Sequence, residues 1–482
     1  MGRIISRYKN LSPTVKASLW FMVCSFIQKG IAFFTVPIYT RMLTTEEYGV
    51  YSVYLSWENI FLIFATLNLS AGVFNNGMVK YENNRNIFIS SMQGLSTVCT
   101  VVVWGIYCVL MTPINGLTKL NTHIMLIMFC QIFFSPAYSY WMVRKRFEYK
   151  YRAIVLITLC IAIGTPIFSI FLLKKLEDPV NAVILGYAIP QIAIGAYFYI
   201  FNWAKGRIFF DKKLWRYGAG FNIPLIPHYL SYIILGQSDR VMINSLCGPS
   251  DAGIYTLAYQ IAIVINLVTN AIDASFNPWT YKKLKEKEYI AIRRVTNCLI
   301  IVFSIGVLGL TLIAPELLLF CAPSEYQAAK WVMPPVIMGC FFMFIAGAFM
   351  RVEFFHEKKK FIMLASSLAA ILNIVLNIVF IPLVGFIAAA YTTLVTYFIF
   401  SIFHYVAVCK TCKKNAYEDL PFNGKVIYGI STIVILVVAA CLLLYNNIIL
   451  RYGLVAILIL GSVLFRKKLL RIYTELRKTD NS

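Results

Sequence analysis

Six ionisable side chains stand inside long apolar runs: Lys29, Glu58, His228, Asp239, Arg240 and Asp273. A charge at mid-bilayer depth costs roughly 3 kcal/mol or more, so it faces a cavity, a partner or a bound ion. The chemistry suited to such a set is binding rather than bond-making. Lys29 and Arg240 are fitted to an anion, phosphate or pyrophosphate above all. Glu58, Asp239, Asp273 and His228 are fitted to take up H+ or Na+, or to line a polar cavity. Lys29 lies about twelve residues from either end of its run, roughly 18 Å at helical rise, too far for its ammonium to reach the headgroups easily. The plainer alternative for Lys29 and Glu58 is an ion pair with each other. For Asp239–Arg240, and for Arg351 and Glu353, it is an interfacial position.

No Ser-His-Asp, nucleotide or metal pattern accompanies these residues. The four histidines, His123, His228, His356 and His404, are scattered. "CKTC" at Cys409–Cys412 lacks the second pair that a four-ligand zinc site requires. Most cysteines sit in apolar runs, where they act as small apolar side chains. The sequence points away from an enzyme and calls for no metal or cofactor beyond a coupling ion.

The elements that must hold these residues are membrane spans. The 482 residues are 60% hydrophobic and 13% charged, with mean hydropathy +0.72, far from the composition of a soluble domain. About fourteen apolar segments, from 17–39 to 448–465, have the length of a bilayer-crossing helix. The expectation is an all-α polytopic membrane protein. The net charge of +23 does not indicate nucleic acid, because the charges sit in alternating loops. Every second connection, starting at the N-terminus, is basic, "RKRFEYKYR" at 144–152 and "KKLKEKEYIAIRR" at 282–294 among them. This set carries about 36 of the 44 basic residues and the intervening loops about six, which places both termini in the cytoplasm by the positive-inside rule. The basic start has no signal-peptide cleavage pattern. "MGRIIS" fits a myristoylation pattern that chance explains. The tail from Arg466 fits a basic amphipathic helix or a frayed end.

"EEYGVYSVY" near residue 50 is echoed by "DAGIYTLAY" near residue 255. The echo aligns Gly49-Val50-Tyr51-Ser52 with Gly253-Ile254-Tyr255-Thr256, each at the start of the second span of its half. Two six-helix lobes in parallel orientation, related by a pseudo-two-fold axis along the membrane normal, follow from it. The expected division is 1–216, 217–424, and 425–482 for two added spans and the tail. A cleft between two such lobes permits alternating access, and prolines within spans, densest in "NIPLIPHYL" at Asn222–Leu230, supply hinges.

"KASLWFMVCSFIQKGIAFFTVPIYTRMLTTEEYGVYSVY" and "GQSDRVMINSLCGPSDAGIYTLAYQI" resemble bacterial polysaccharide-biosynthesis flippases of the O-antigen (Wzx-type) branch. That branch belongs to the multidrug, oligosaccharidyl-lipid and polysaccharide exporter superfamily. The resemblance implies a V-shaped two-lobe fold with a cationic cavity in the bacterial plasma (inner) membrane. It implies translocation of undecaprenyl-pyrophosphate-linked oligosaccharide for O-antigen (lipopolysaccharide), capsule or exopolysaccharide, coupled to H+ or Na+. The partners it implies are the lipid-linked oligosaccharide, membrane lipids, a polysaccharide polymerase and a chain-length regulator. Lys29 and Arg240 match the cavity cations of such proteins. A drug/cation antiporter of the same superfamily is the first alternative, disfavoured by Lys29 and the fourteen spans. A polymerase or ligase is disfavoured by short, weakly basic external loops, and a purely structural partner by the buried charges.

Overall fold

The computed structural model describes residues 13–148 and 150–461. The Gly2–Ser6 pattern and the tail from Arg466 lie outside the described residues. Among those described, every regular element is helical, and eleven helices are long and apolar enough to cross a membrane. The chain is a multi-pass, all-α membrane protein. It divides into two compact units, residues 1–253 and 254–482.

The first unit contains α1 (Pro13–Met42), α2 (Thr45–Thr66), α3 (Val73–Lys80), α4 (Arg85–Val109), α5 (Met111–Thr118), α6 (Thr122–Phe147), α7 (Tyr151–Leu173), α8 (Pro179–Gly206), α9 (Lys212–Asn222) and α10 (Ile226–Leu246), and the start of α11 (Pro249–Ala262). Helix α8 packs on α6 and α7, α1 on α7, and α2 lies between α4 and α10. The acidic turn expected before α2 is a capping box. Thr44 Oγ1 accepts from the Glu47 amide at 3.2 Å, and Glu47 Oε2 accepts from the Thr44 amide at 2.8 Å, pairing donors that a helix start leaves open.

Three of the fourteen expected spans are absent from the eleven apolar helices: α2, α10 and the last, 448–465, which is described as a shorter helix, Ile448–Gly461. Helices α2 and α10 carry polar residues mid-helix, Glu58 and Asn59 in one and Gln237–Arg240 in the other. Helix α2 also ends early, at a break where Leu67 and Asn68 adopt positive φ of 50° and 47°. The fully buried Asn222 holds that break. Its Nδ2 donates to the carbonyls of Leu67 and Asn68 at 2.8 and 2.9 Å, and its Oδ1 accepts from the Val73 amide at 3.0 Å. A run that reads as one span over 48–74 is therefore a helix, a clamped turn and a second short helix.

The echoed glycines meet. A Cβ on Gly49 would lie 1.8 Å from the Pro249 carbonyl oxygen, and one on Gly253 would lie 2.2 Å from that of Thr45. Pro249 corresponds to Thr45 in the echo, so the contact is reciprocal. Thr45 and Ser250 hydroxyls add a hydrogen bond of 2.7 Å. Small residues let the two backbones approach this closely.

The second unit contains α12 (Asn266–Lys285), α13 (Tyr289–Leu312), α14 (Ala314–Cys321), α15 (Met333–Phe355), α16 (Lys359–Val384), α17 (Ala388–Lys414), α18 (Gly424–Leu443) and α19 (Ile448–Gly461). Helices α13, α16 and α17 pack around α15, and α18 packs on α13. An ion pair fastens α19 to α14. Arg451 Nη1 donates to Glu316 Oε2 at 2.9 Å and to the Leu312 carbonyl at 3.2 Å, and Tyr452 Oη donates to Glu316 Oε1 at 3.1 Å. The side chains of Arg451 and Glu316 are 3% and 34% exposed. Removing one partner of a buried pair costs about 3–5 kcal/mol, and the partial exposure of Glu316 places Arg451→Met near ~2 kcal/mol. Thermal unfolding in detergent is expected to show that loss, with much of it regained in Arg451→Met/Glu316→Leu.

Candidate functional site

Helix α2 is polar on opposite faces. Tyr54 and Glu58, one turn apart, share one face, and Ser52 and Ser56 share the other. On the first face the Glu58 carboxylate meets α6 and α8. Gln131 Nε2 donates to Oε1 at 2.7 Å and Tyr187 Oη donates to Oε2 at 3.2 Å. Tyr54 Oη donates to Gln131 Oε1 at 2.6 Å, and Tyr187 lies edge-on to Tyr51 and Tyr54. Glu58 is 8% exposed and forms no ion pair among the described residues. On the opposite face Ser56 Oγ donates to Gln237 Oε1 at 3.2 Å, and the same oxygen accepts from Arg240 Nη1 at 2.9 Å. Arg240 also donates to the Gly236 carbonyl at 2.7 Å.

Glu58 lines a cavity of about 400 Å³ within the first unit. Helix α1 gives it Phe21, Ser25 and Gln28, and α6 gives Ser135, Tyr138, Ser139 and Arg146. Thr158 of α7, Gln191 of α8, and Thr66, Asn68 and Ser70 at the end of α2 and the break after it add to its polar wall. Helix periodicity explains the choice. Gln131, Ser135 and Ser139 follow at intervals of four along α6, with Met142 and Arg146 continuing the stripe. Tyr138 is fixed by a hydrogen bond of 2.8 Å to Thr158. At the basic end of α6, Glu148 binds Arg144 at 2.6 Å and Lys145 at 2.8 Å. Burial alone would raise its carboxyl, but the hydrogen bonds from Lys145 and Arg144 outweigh it and hold it at about 2.

Residues 14–283 match the polysaccharide biosynthesis protein family. The chain belongs to that family. Protein 1 of the lsg locus of Haemophilus influenzae is 20% identical over 402 residues, covering 80% of this chain and 98% of the relative. An uncharacterized membrane protein of the same organism is 23% identical, covering 78% and 94%. Among solved structures, the lipid II flippase MurJ in an inward closed conformation aligns with a TM-score of 0.73 at 16% identity, covering 94% of this chain and 100% of that one. An inward-facing multidrug resistance MATE family transporter aligns with a TM-score of 0.59 at 11% identity, covering 83% and 98%. Both are transport proteins by name.

In this polysaccharide biosynthesis family member the residues singled out by sequence do not form one cluster. Lys29 does not pair with Glu58. It is exposed, and no hydrogen bond or ion pair to it is present among the described residues. Its neighbour Gln28 lines the cavity instead. Asp239 and Arg240 are each 4% exposed. His228, half-buried, lines a smaller cavity of about 340 Å³ with Asn59, Asn68 and Tyr229. In the second unit Asp273 is ion-paired with Arg351, whose guanidinium also binds Asn277 and lies 4.8 Å from the Phe276 ring. Glu353 is fully buried against His404 Nδ1 at 2.9 Å. Arg351 and Glu353 are thus each held in a pair inside the second unit. Cys409 and Cys412 are free thiols on α17.

Sequence reading missed Gln131, Tyr187, Ser135, Ser139 and Gln191. The stripe of polar residues at intervals of four in α6 was the available signal for three of them. Tyr187 and Gln191 carried none, since a lone Tyr or Gln in an apolar run fits a lipid-facing helix equally well.

Proposed function

We propose that this family member is a flippase. It moves an undecaprenyl-pyrophosphate-linked oligosaccharide across the bacterial plasma membrane by alternating access, with both termini cytoplasmic, for assembly of O-antigen, capsule or exopolysaccharide. The observation that carries the reading is the likeness to the lipid II flippase along the whole length of that chain, joined to membership of a polysaccharide biosynthesis family. A polymerase and a chain-length regulator are the partners this pathway would supply. Lys29, unpaired among the described residues, offers an ammonium to the pyrophosphate. Arg240, buried and bonded to Gln237 and the Gly236 carbonyl, is the second cation proposed for the pyrophosphate, at a separate position on α10.

Coupling to H+ or Na+ is part of the proposal. Asp273 already has a guanidinium beside it, whereas Glu58 has only the neutral donors Gln131 and Tyr187. A buried carboxylate without a cation favours an arriving proton or sodium ion most. Glu58 is therefore the coupling carboxylate in this reading, and Asp273 is the alternative to test after it.

The test is leaflet exchange of a fluorescent polyprenyl-pyrophosphate oligosaccharide in proteoliposomes under imposed H+ or Na+ gradients. Gradient-dependent exchange is expected. Absence of exchange under every gradient would overturn the proposal. The lone carboxylate in the first-unit cavity favours one second reading, export of organic cations. In that case a cationic dye would be transported in place of the lipid.

A further inference from the structure

We propose that the cavity within the first unit is a sugar subsite, holding one or two sugar residues of the head group. This deepens the flippase reading and rests on it. About 400 Å³ falls at the small end of small-molecule sites, roughly 300–1,000 Å³, with room for one or two sugar rings.

Three features select a sugar over the other parts of a lipid-linked substrate. The first is unspent hydrogen-bonding capacity. Ser25, Gln28, Ser135 and Ser139 line the cavity and make no hydrogen bond to another described residue. An amide and three hydroxyls offer donors and acceptors together, as a polyol requires. Each Glu58 oxygen accepts one hydrogen bond and keeps a second lone pair for a sugar hydroxyl. A polyprenyl chain would leave all these groups unpaired, at a cost of about 1–3 kcal/mol each.

The second feature is charge. Glu58 on the cavity wall repels a phosphate. Arg146, the single basic lining residue, is exposed and stands 11 positions along α6 from Ser135, roughly 16 Å at helical rise. The pyrophosphate is therefore excluded from the interior. The third feature is the apolar surface. Phe21 and Tyr138 present rings to the same space, surfaces on which the C–H face of a pyranose packs.

The test uses oligosaccharides released by mild acid from the polyprenyl-pyrophosphate lipids of the cells that make this protein. Their binding to the purified full-length protein in detergent is read by saturation-transfer NMR and calorimetry, alongside flipping in proteoliposomes. Ser139→Trp fills the space, and Gln28→Ala/Ser139→Ala empties it of donors without adding volume. Wild type is expected to bind the released glycan, and each variant that remains monodisperse to bind it at least tenfold more weakly. If Ser139→Trp does not fold, the double alanine variant carries the test. Equal affinity in wild type and variants overturns the subsite, as does a wild type that flips the lipid yet binds no released glycan. Both results leave the flippase reading standing. A wild type that neither flips nor binds overturns both.

Discussion

Proteoliposomes carrying Glu58→Gln are expected to lose at least nine-tenths of gradient-driven translocation while the protein keeps its fold. The substitution preserves volume, and the surrounding network tolerates it. A glutamine amide at position 58 can donate to Gln131 Oε1, and Gln131 Nε2 can then donate to Tyr54 Oη, so the chain of hydrogen bonds now running from Tyr54 to Glu58 reverses without a gap. Stability is expected to stay level or rise, because a carboxylate buried without a cation costs free energy that a neutral amide does not. The measurement is paired: thermal midpoint in detergent and initial exchange rate under a gradient. Wild-type translocation in a folded Glu58→Gln protein removes this carboxylate from the cycle and turns attention to Asp273. A collapse of stability would assign Glu58 a structural role instead.

The second large effect is expected at the glycine crossing. Gly49→Ala adds one methyl group that would stand 1.8 Å from a backbone oxygen. No side chain can rotate away, so α2 and α11 must separate. Overpacking a well-packed contact costs roughly 1–3 kcal/mol, occasionally more, and a backbone clash belongs at the upper end. Gly49→Ala and Gly253→Ala are each expected to lower the unfolding free energy by about 3 kcal/mol and to reduce translocation. The double variant is expected to lose clearly less than twice that, since both methyl groups push the same helix pair apart and sites in contact are not additive. Wild-type thermal midpoints in both single variants would show that the backbones are not in contact.

The glycine pair shows what was readable in the sequence. "YGVY" and "AGIY" were legible as an echo, and the structure adds that its two glycines touch. Eleven of the fourteen span positions were likewise readable, because the hydrophobic run is a local property. The cavity was not. Lys29 drew attention as the rarest residue type in its span, yet the side chain that lines the cavity is Gln28, about 100° away around the helix. Which of two neighbours faces inward depends on where α6 and α7 lie, and composition carries no such information. Arg146 was counted as a loop cation for the same reason: its charge fixed a membrane side and concealed its place on the cavity wall. The breaks were hidden as well. Leu67 and Asn68 hold positive φ because Asn222, more than 150 positions away, ties down their carbonyls.

The two-sided polarity of α2 also bears on the order in which the protein is made. A segment that carries Glu58 and Asn59 among its apolar residues gains little by entering lipid alone. Its partners emerge from the ribosome later, Gln131 after 73 further residues and Tyr187 after 129. Until then the Glu58 carboxylate has neither donor, and the helix must wait in the translocon or be held there by the hydrophobic α1 that precedes it. Synthesis of α8 is the step at which Glu58 acquires its second hydrogen-bond donor, Tyr187. A chain halted before α8 would carry a span that the bilayer has little reason to keep.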